Sequence, residues 1–207
     1  MIKYYTVRNA ASSELIVEKS RFIGHIREAG SKDEADRFFA GIRGTHRAAT
    51  HNVPVVVIGA GMEFQWAGSD GEPQGTSGAP ILRMLTSEGV TNTALMVTRY
   101  FGGVKLGTGG LARAYTATAK AALDAAGVVA VESGVAFRYE IGYAYMDKLK
   151  VVCERGGFAL GDPVFADVVS VTITAREEDA ARVISAVTGL TGGAGRLIRR
   201  ADCEIRA

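Results

Sequence analysis

The sequence predicts an α+β protein built in two parts. Helical periodicity and strand-like runs alternate in mixed order up to about Gly134, which implies sheet layered with helices. After that point the order strand, helix, two strands, helix, strand is the split pattern of a ferredoxin-like domain. The 207 residues are 47 % hydrophobic and 22 % charged, a composition that excludes disorder, collagen-like repeats and coiled coil. No internal repeat or low-complexity linker interrupts the chain. The expected domains are therefore residues 1–133 and 134–207, with a short hinge around Val131 to Gly134.

Taken in order, ELIVEK and SRFIGHIREA read as strands. Ser31 and Glu34 then have capping-box spacing, and Ala35, Phe38, Phe39 and Ile42 recur at helical intervals, so SKDEADRFFAGIRG is a first amphipathic helix. NVPVVVIGA is rich in β-branched residues and reads as a buried strand. Pro80 suits the first turn of a second helix, with Ile81, Leu82 and Leu85 as its apolar stripe and a stop near Gly89. TNTALMVTRYF follows as a strand, and Leu111 to Ala126 as a long helix closed by Gly127. In the second part, GVAFRYEIGY is a strand, and AYMDKLKVVCERG sets Tyr145, Leu149 and Val152 on one helical face ending at Gly156. FALGDPVFADVVSVTITA supplies two strands, and REEDAARVISAVTGL a helix with acids in its first turn. GRLIRRADCEIRA is the last strand, in which at least one of Arg199 and Arg200 faces solvent.

Twenty-four Lys and Arg against twenty-two Asp and Glu leave a charge of +2, too little for binding to a polyanion through bulk charge. Any such site must be local. No segment approaches the roughly 20 apolar residues of a membrane span, and no signal peptide is evident, so the expected setting is the cytoplasm, with no membrane partner. Cys153 and Cys203 make neither a disulfide framework nor a zinc site and read as small buried side chains.

Two segments hold too much glycine and small polar residue to be core: Ser69 to Pro80 and Arg99 to Tyr115. In the second, a strand ends at Arg99 and a helix begins near Thr108 to Gly110. Gly107, Gly109 and Gly110 thereby lie where free N–H groups and the positive end of a helix dipole form an anion cradle. No acid occurs between Glu88 and Asp124, whereas Arg99, Lys105, Arg113 and Lys120 bring positive charge. Tyr100 and Phe101 at the strand end suit stacking on a base or a partner's side chain. The plain alternative is that the glycines, Gly102 and Gly103 included, serve a tight turn and close packing. The spacing matches neither a Walker loop nor a dinucleotide fingerprint, and no cofactor is implied.

In the first segment Asp70 and Glu72 stand one residue apart, ahead of Gln74, Thr76 and Ser77. This loop either caps and turns, or forms the second wall of a cleft. Ser77 fails the nucleophile-elbow pattern, because Ala79 stands where the second glycine belongs. His46 and His51 flank the turn before the buried strand, as structural histidines or as an acid and base; a third metal ligand is lacking.

SDGEPQGTSGAPIL and VTRYFGGVKLGTGGLARAY together closely resemble the YigZ and IMPACT family. Its signature of spaced aliphatics, then Arg, two aromatics and Gly-Gly, is met by Gly78, Ile81, Leu82, Leu85, Val90, Met96, Val97, Arg99, Tyr100, Phe101, Gly102, Gly103, Leu106 and Gly107. KSRFIG and THNV are similar to further family segments. The resemblance implies a ribosomal protein S5 domain 2-like fold followed by a ferredoxin-like domain similar to the last domain of the translocation elongation factor. It also implies regulation of translation, which eukaryotic relatives exert under amino-acid starvation by binding a partner that activates a kinase. Two departures weigh against an acid-pair or Cys-His mechanism: Ser69 precedes a single Asp70 where members often have two acids, and Val53 stands where many carry cysteine.

The sequence thus points to a non-enzymatic binding protein that contacts RNA, the ribosome, a translational protein partner or a phosphorylated small ligand. The alternative is an enzyme, a hydrolase or one acting on phosphate ligands, with Asp70 or Glu72 as its working carboxylate and the glycine-rich helix start as its anion site.

Overall fold

The computed structural model describes residues 1–206, which form two compact units: residues 4–130, and residues 131–206 together with residues 1–3. The elements in chain order are β1 (Ile2–Val7), β2 (Ala11–Val17), β3 (Ser20–Glu28), α1 (Lys32–Thr45), β4 (His51–Ile58), β5 (Phe64–Ala67), α2 (Gly78–Ser87), β6 (Thr93–Tyr100) and α3 (Gly107–Ala126). They continue with β7 (Val128–Ile141), α4 (Met146–Gly156), β8 (Ala159–Leu160), β9 (Val164–Phe165), β10 (Val169–Arg176), α5 (Ala180–Thr191) and β11 (Arg196–Arg206). The architecture is α+β.

In the first unit a five-stranded antiparallel sheet runs β2-β3-β6-β4-β5. Its side chains alternate between faces with period two. Phe22, Ile26, Val53, Val55, Val57, Leu95 and Val97 point to one face, where Ile81 and Leu85 of α2 and Leu111, Tyr115, Ala119 and Leu123 of α3 bury them. Val56, Ala94 and Met96 point to the other, under Ala35 and Phe39 of α1. Ser31 caps α1 as its spacing predicts, its hydroxyl accepting the Glu34 N–H at 3.3 Å, while the Glu34 carboxylate reaches back one residue further, to the Gly30 N–H. Glu18 and Lys19, both at positive φ, close the two-residue β2–β3 hairpin.

The second sheet, which holds the strands of the second unit, runs β1-β7-β10-β8, with β11 paired to β7 and β9 to β10. The neighbours β7–β10, β10–β8 and β7–β11 are antiparallel. Val135, Phe137, Tyr139 and Ile141 of β7 and Val169, Val171 and Ile173 of β10 share one face with Met146, Leu149 and Cys153 of α4 and Val183 and Val187 of α5. Among the described residues of this unit, both helices, α4 and α5, pack on that one face.

Three expectations need correction, and two strands were not anticipated. Val131 to Gly134, expected as a short hinge, lie inside the continuous strand β7, directly after the point where the two units divide. The unanticipated strands are β1, whose IKYYTV is rich in strand-favouring residues, and β5, only four residues long. Glu177, Glu178 and Asp179 form a separate 3-10 turn ahead of α5 rather than its first turn. On α4 the buried stripe is Met146, Leu149 and Cys153, one position on from the predicted Tyr145, Leu149 and Val152. Among the described residues no helix is long and apolar enough to cross a membrane.

Candidate functional site

A cleft of about 420 Å³ opens in the first unit where the end of β6, the start of α3 and the loop after β5 meet. Strand pairing creates it: β4 lies beside β6 with His51 opposite Arg99, so the two side chains share a face. The helix begins with Gly107, Thr108, Gly109 and Gly110, and its N-cap, Leu106, makes no side-chain capping bond. There is no acid in that first turn. The unpaired N–H groups and the dipole of a 20-residue helix therefore favour negative charge at this end. Lys105, exposed beside them, lines the same cleft with Thr50, Phe101 and Thr108.

A buried polar cluster forms the cleft floor. Arg99 is only 5 % exposed, and its Nη1 donates to Glu72 Oε1 at 2.6 Å. The Tyr115 hydroxyl donates to the same oxygen at 2.7 Å. His51 Nδ1 donates to the Asp70 carbonyl at 2.7 Å, which turns Nε2 toward Glu72 Oε1 at 3.7 Å. A carbonyl oxygen can only accept, so Nδ1 carries the proton. The Arg99 guanidinium lies 5.4 Å from each of the Phe22 and Phe101 ring centres. Phe22 is buried, whereas Phe101 is 47 % exposed and keeps a ring available to a ligand. Burial, reinforced by the Glu72 carboxylate, pushes the Tyr115 phenol far above its ordinary value, so it stays a donor.

The predicted residues divide. Arg99, Phe101, Lys105, Gly107 and Thr108 line the cleft, and from the loop Glu72 and Pro73 do so. Tyr100 does not, because adjacent strand residues face opposite ways. Its hydroxyl meets His46 Nδ1 at 2.9 Å on the α1 side of the sheet, near His25. Arg113 lines a separate shallow groove with Met84, Glu88 and Lys120. Gly102 serves packing: a Cβ there would sit 2.0 Å from the Lys19 backbone. Gly103 and Gly107 have positive φ and open space around them, so they serve the turn, while Gly109 and Gly110 fall inside α3.

In the loop, Asp70 Oδ2 accepts the Asn52 N–H at 2.6 Å and the Thr76 hydroxyl donates to the Pro73 carbonyl at 2.7 Å. Thr76 and Ser77 are buried and Gln74 is exposed, so none of these belongs to the cleft wall. Both loop carboxylates are engaged, Asp70 by a backbone N–H and Glu72 by Arg99 and Tyr115. Tyr115 is the member sequence reading missed, while His51, read there as a structural histidine or one of an acid and base, was not assigned to this cleft. The signal for the direction of His51 was period two along β4, which puts it on the face of Val53, Val55 and Val57; Tyr115 gave none beyond its position two turns into α3.

The pattern of the Impact N-terminal domain matches residues 18–123, a span that contains the whole cleft. The chain belongs to the IMPACT family. IMPACT family member YvyE of Bacillus subtilis is 35 % identical over 190 residues, covering 92 % of this chain and 88 % of that protein. IMPACT family member YigZ of Escherichia coli is 41 % identical over 101 residues, 48 % of this chain and 50 % of the relative. A crystal structure of a hypothetical protein superposes with a TM-score of 0.63 at 24 % identity, covering 95 % of this chain and 97 % of the other, and so shares the fold. The IMPACT region and the cleft therefore coincide.

Proposed function

We propose that this IMPACT family protein is a cytoplasmic, non-enzymatic binding protein that regulates translation by contacting RNA, and that the cleft at the start of α3 receives a phosphate of that ligand. The observation that carries this reading is the uncapped, acid-free helix N-terminus opening beside Lys105 into one cleft with the exposed Phe101 ring. Backbone N–H groups and a lysine suit a phosphate, and an open aromatic ring suits the neighbouring base. The two carboxylates that the enzyme alternative relies on are engaged, Asp70 by the Asn52 N–H and Glu72 by Arg99 and Tyr115, which supports binding over catalysis. We further assign the two units to the S5 domain 2-like and ferredoxin-like folds. The strand order β11-β7-β10-β8 supports the second assignment, since it is the order expected of a split β-α-β pair.

The test is binding of a labelled single-stranded RNA 12-mer by purified, nucleic-acid-free protein across a salt series. Lys105→Ala should weaken binding at every salt concentration and lower the salt slope by about 0.7, the value of one single-strand phosphate contact. Phe101→Ala should weaken binding with the slope unchanged. Absence of binding at low salt, or wild-type affinity in both variants, would remove this reading.

A further inference from the structure

The helix-free face of the second unit's sheet carries an arrangement that the fold alone does not require. Even-numbered residues of β7 point to this face, because the odd-numbered ones are buried under α4 and α5. Arg138 is exposed on it, with Thr172 of β10 on one side and Arg199 of β11 directly opposite on the other. Like charges facing each other across neighbouring strands destabilise a sheet. Among the described residues, neither guanidinium has a carboxylate partner. By contrast Arg196 pairs with Glu140 at 3.1 Å and Arg176 with Glu132 at 2.9 Å on the same face.

The pairing depends on a β-bulge. The register of β11 on β7 slips between Leu197 and Arg199, where Ile198 is the extra residue. With Leu197 opposite the buried Tyr139, regular alternation would put Ile198 opposite Arg138 and send Arg199 to the helix side. The bulge re-aims the chain so that Arg199 faces Arg138, while Arg200 goes to the helix side over the Phe137 ring at 5.9 Å. An anion lying between two such guanidinium groups turns their repulsion into attraction for both.

We infer that this sheet face is a second RNA contact, in which Arg138 and Arg199 bind the phosphodiester backbone of a single strand. The shape favours a chain over a small anion: the open pair Arg138 and Arg199 lies midway along a row of arginines that spans six residues of β7 or about 20 Å, with Arg196 and Arg176, each held by its own glutamate, at the two ends. The part of the face around the pair holds Thr172, Thr174, Ala136 and Ala201 and no aromatic ring, so it suits phosphates rather than stacked bases. This inference rests on the RNA reading above but on different residues, in the other unit.

The same full-length protein and RNA 12-mer test it with Arg138→Gln/Arg199→Gln beside Lys105→Ala. Two lost single-strand contacts should lower the salt slope by about 1.4, which is about 25-fold in affinity at 0.1 M salt if the proteins bind equally at 1 M. Arg138→Lys/Arg199→Lys should keep the slope. Removing the repulsion should leave the urea midpoint of the double Gln variant equal to or above that of the wild type; a lowered midpoint would show the pair to be structurally engaged and overturn the proposal. An unchanged slope in the double Gln variant, with Lys105→Ala still weakened, overturns this inference and spares the cleft. No binding by the wild-type protein sinks both.

Discussion

Replacing Glu72 by Gln isolates the charge at the centre of the cleft floor. Gln keeps the volume and a carbonyl acceptor for Arg99 and Tyr115, but the Arg99 guanidinium cannot lose its proton and would lie buried without a counter-charge. The Glu72 and Arg99 side chains are 2 % and 7 % exposed, so solvent screens the pair little. Breaking such a pair from one side costs about 3–5 kcal/mol. The Phe22 and Phe101 rings beside the guanidinium partly replace the lost attraction, which places the expected loss near 3 kcal/mol. Urea unfolding followed by fluorescence measures it in the right unit, since Trp66 is the single tryptophan and lies on β5. Adding Arg99→Met to Glu72→Gln should recover about 2 kcal/mol, because the stranded charge is then gone. A Glu72→Gln cost below about 1 kcal/mol, the range of a surface pair, would refute the buried-charge argument.

Two further outcomes follow from the packing and from the histidines. Gly102→Ala drives a methyl into the Lys19 backbone and should cost about 1–3 kcal/mol or more, whereas Gly41→Ala, mid-helix in α1 with nothing within 4 Å, should stabilise by about 0.5–1 kcal/mol; the same urea titration reads both. His25 has a buried, unpartnered Nε2, and burial, aided by the His46 ring 5.2 Å away, lowers its pKa. The unfolded chain therefore takes up a proton that the folded one refuses once pH falls below about 6.5, and stability should decline from there until the lower folded value is passed. Urea midpoints between pH 7.5 and 5.5 should show that decline in the wild type and much less of it in His25→Gln; equal curves would contradict it.

The strongest sequence readings were those whose cause is local. The Ser31 cap, the stripe on α1, the Gly127 stop of α3 and the runs of β4 and β6 each depend on residues within a few positions, and each stands close to where periodicity puts it. The glycine-rich start of α3 was legible for the same reason, since a helix N-terminus leaves its N–H groups unpaired wherever it occurs. The separation of Arg99 from Tyr100 was legible in principle from strand alternation alone.

What the sequence by itself determined is therefore the set of elements and one end of the cleft. Only the tertiary structure decided the rest. His51 meets Arg99, and Glu72 reaches both Arg99 and Tyr115, because β4 pairs with β6 across more than forty intervening residues and α3 packs on that face. Arg199 faces Arg138 because a single extra residue, Ile198, shifts the register of β11. Pairing and register are set by burial of whole faces at once, and no local window carries that information.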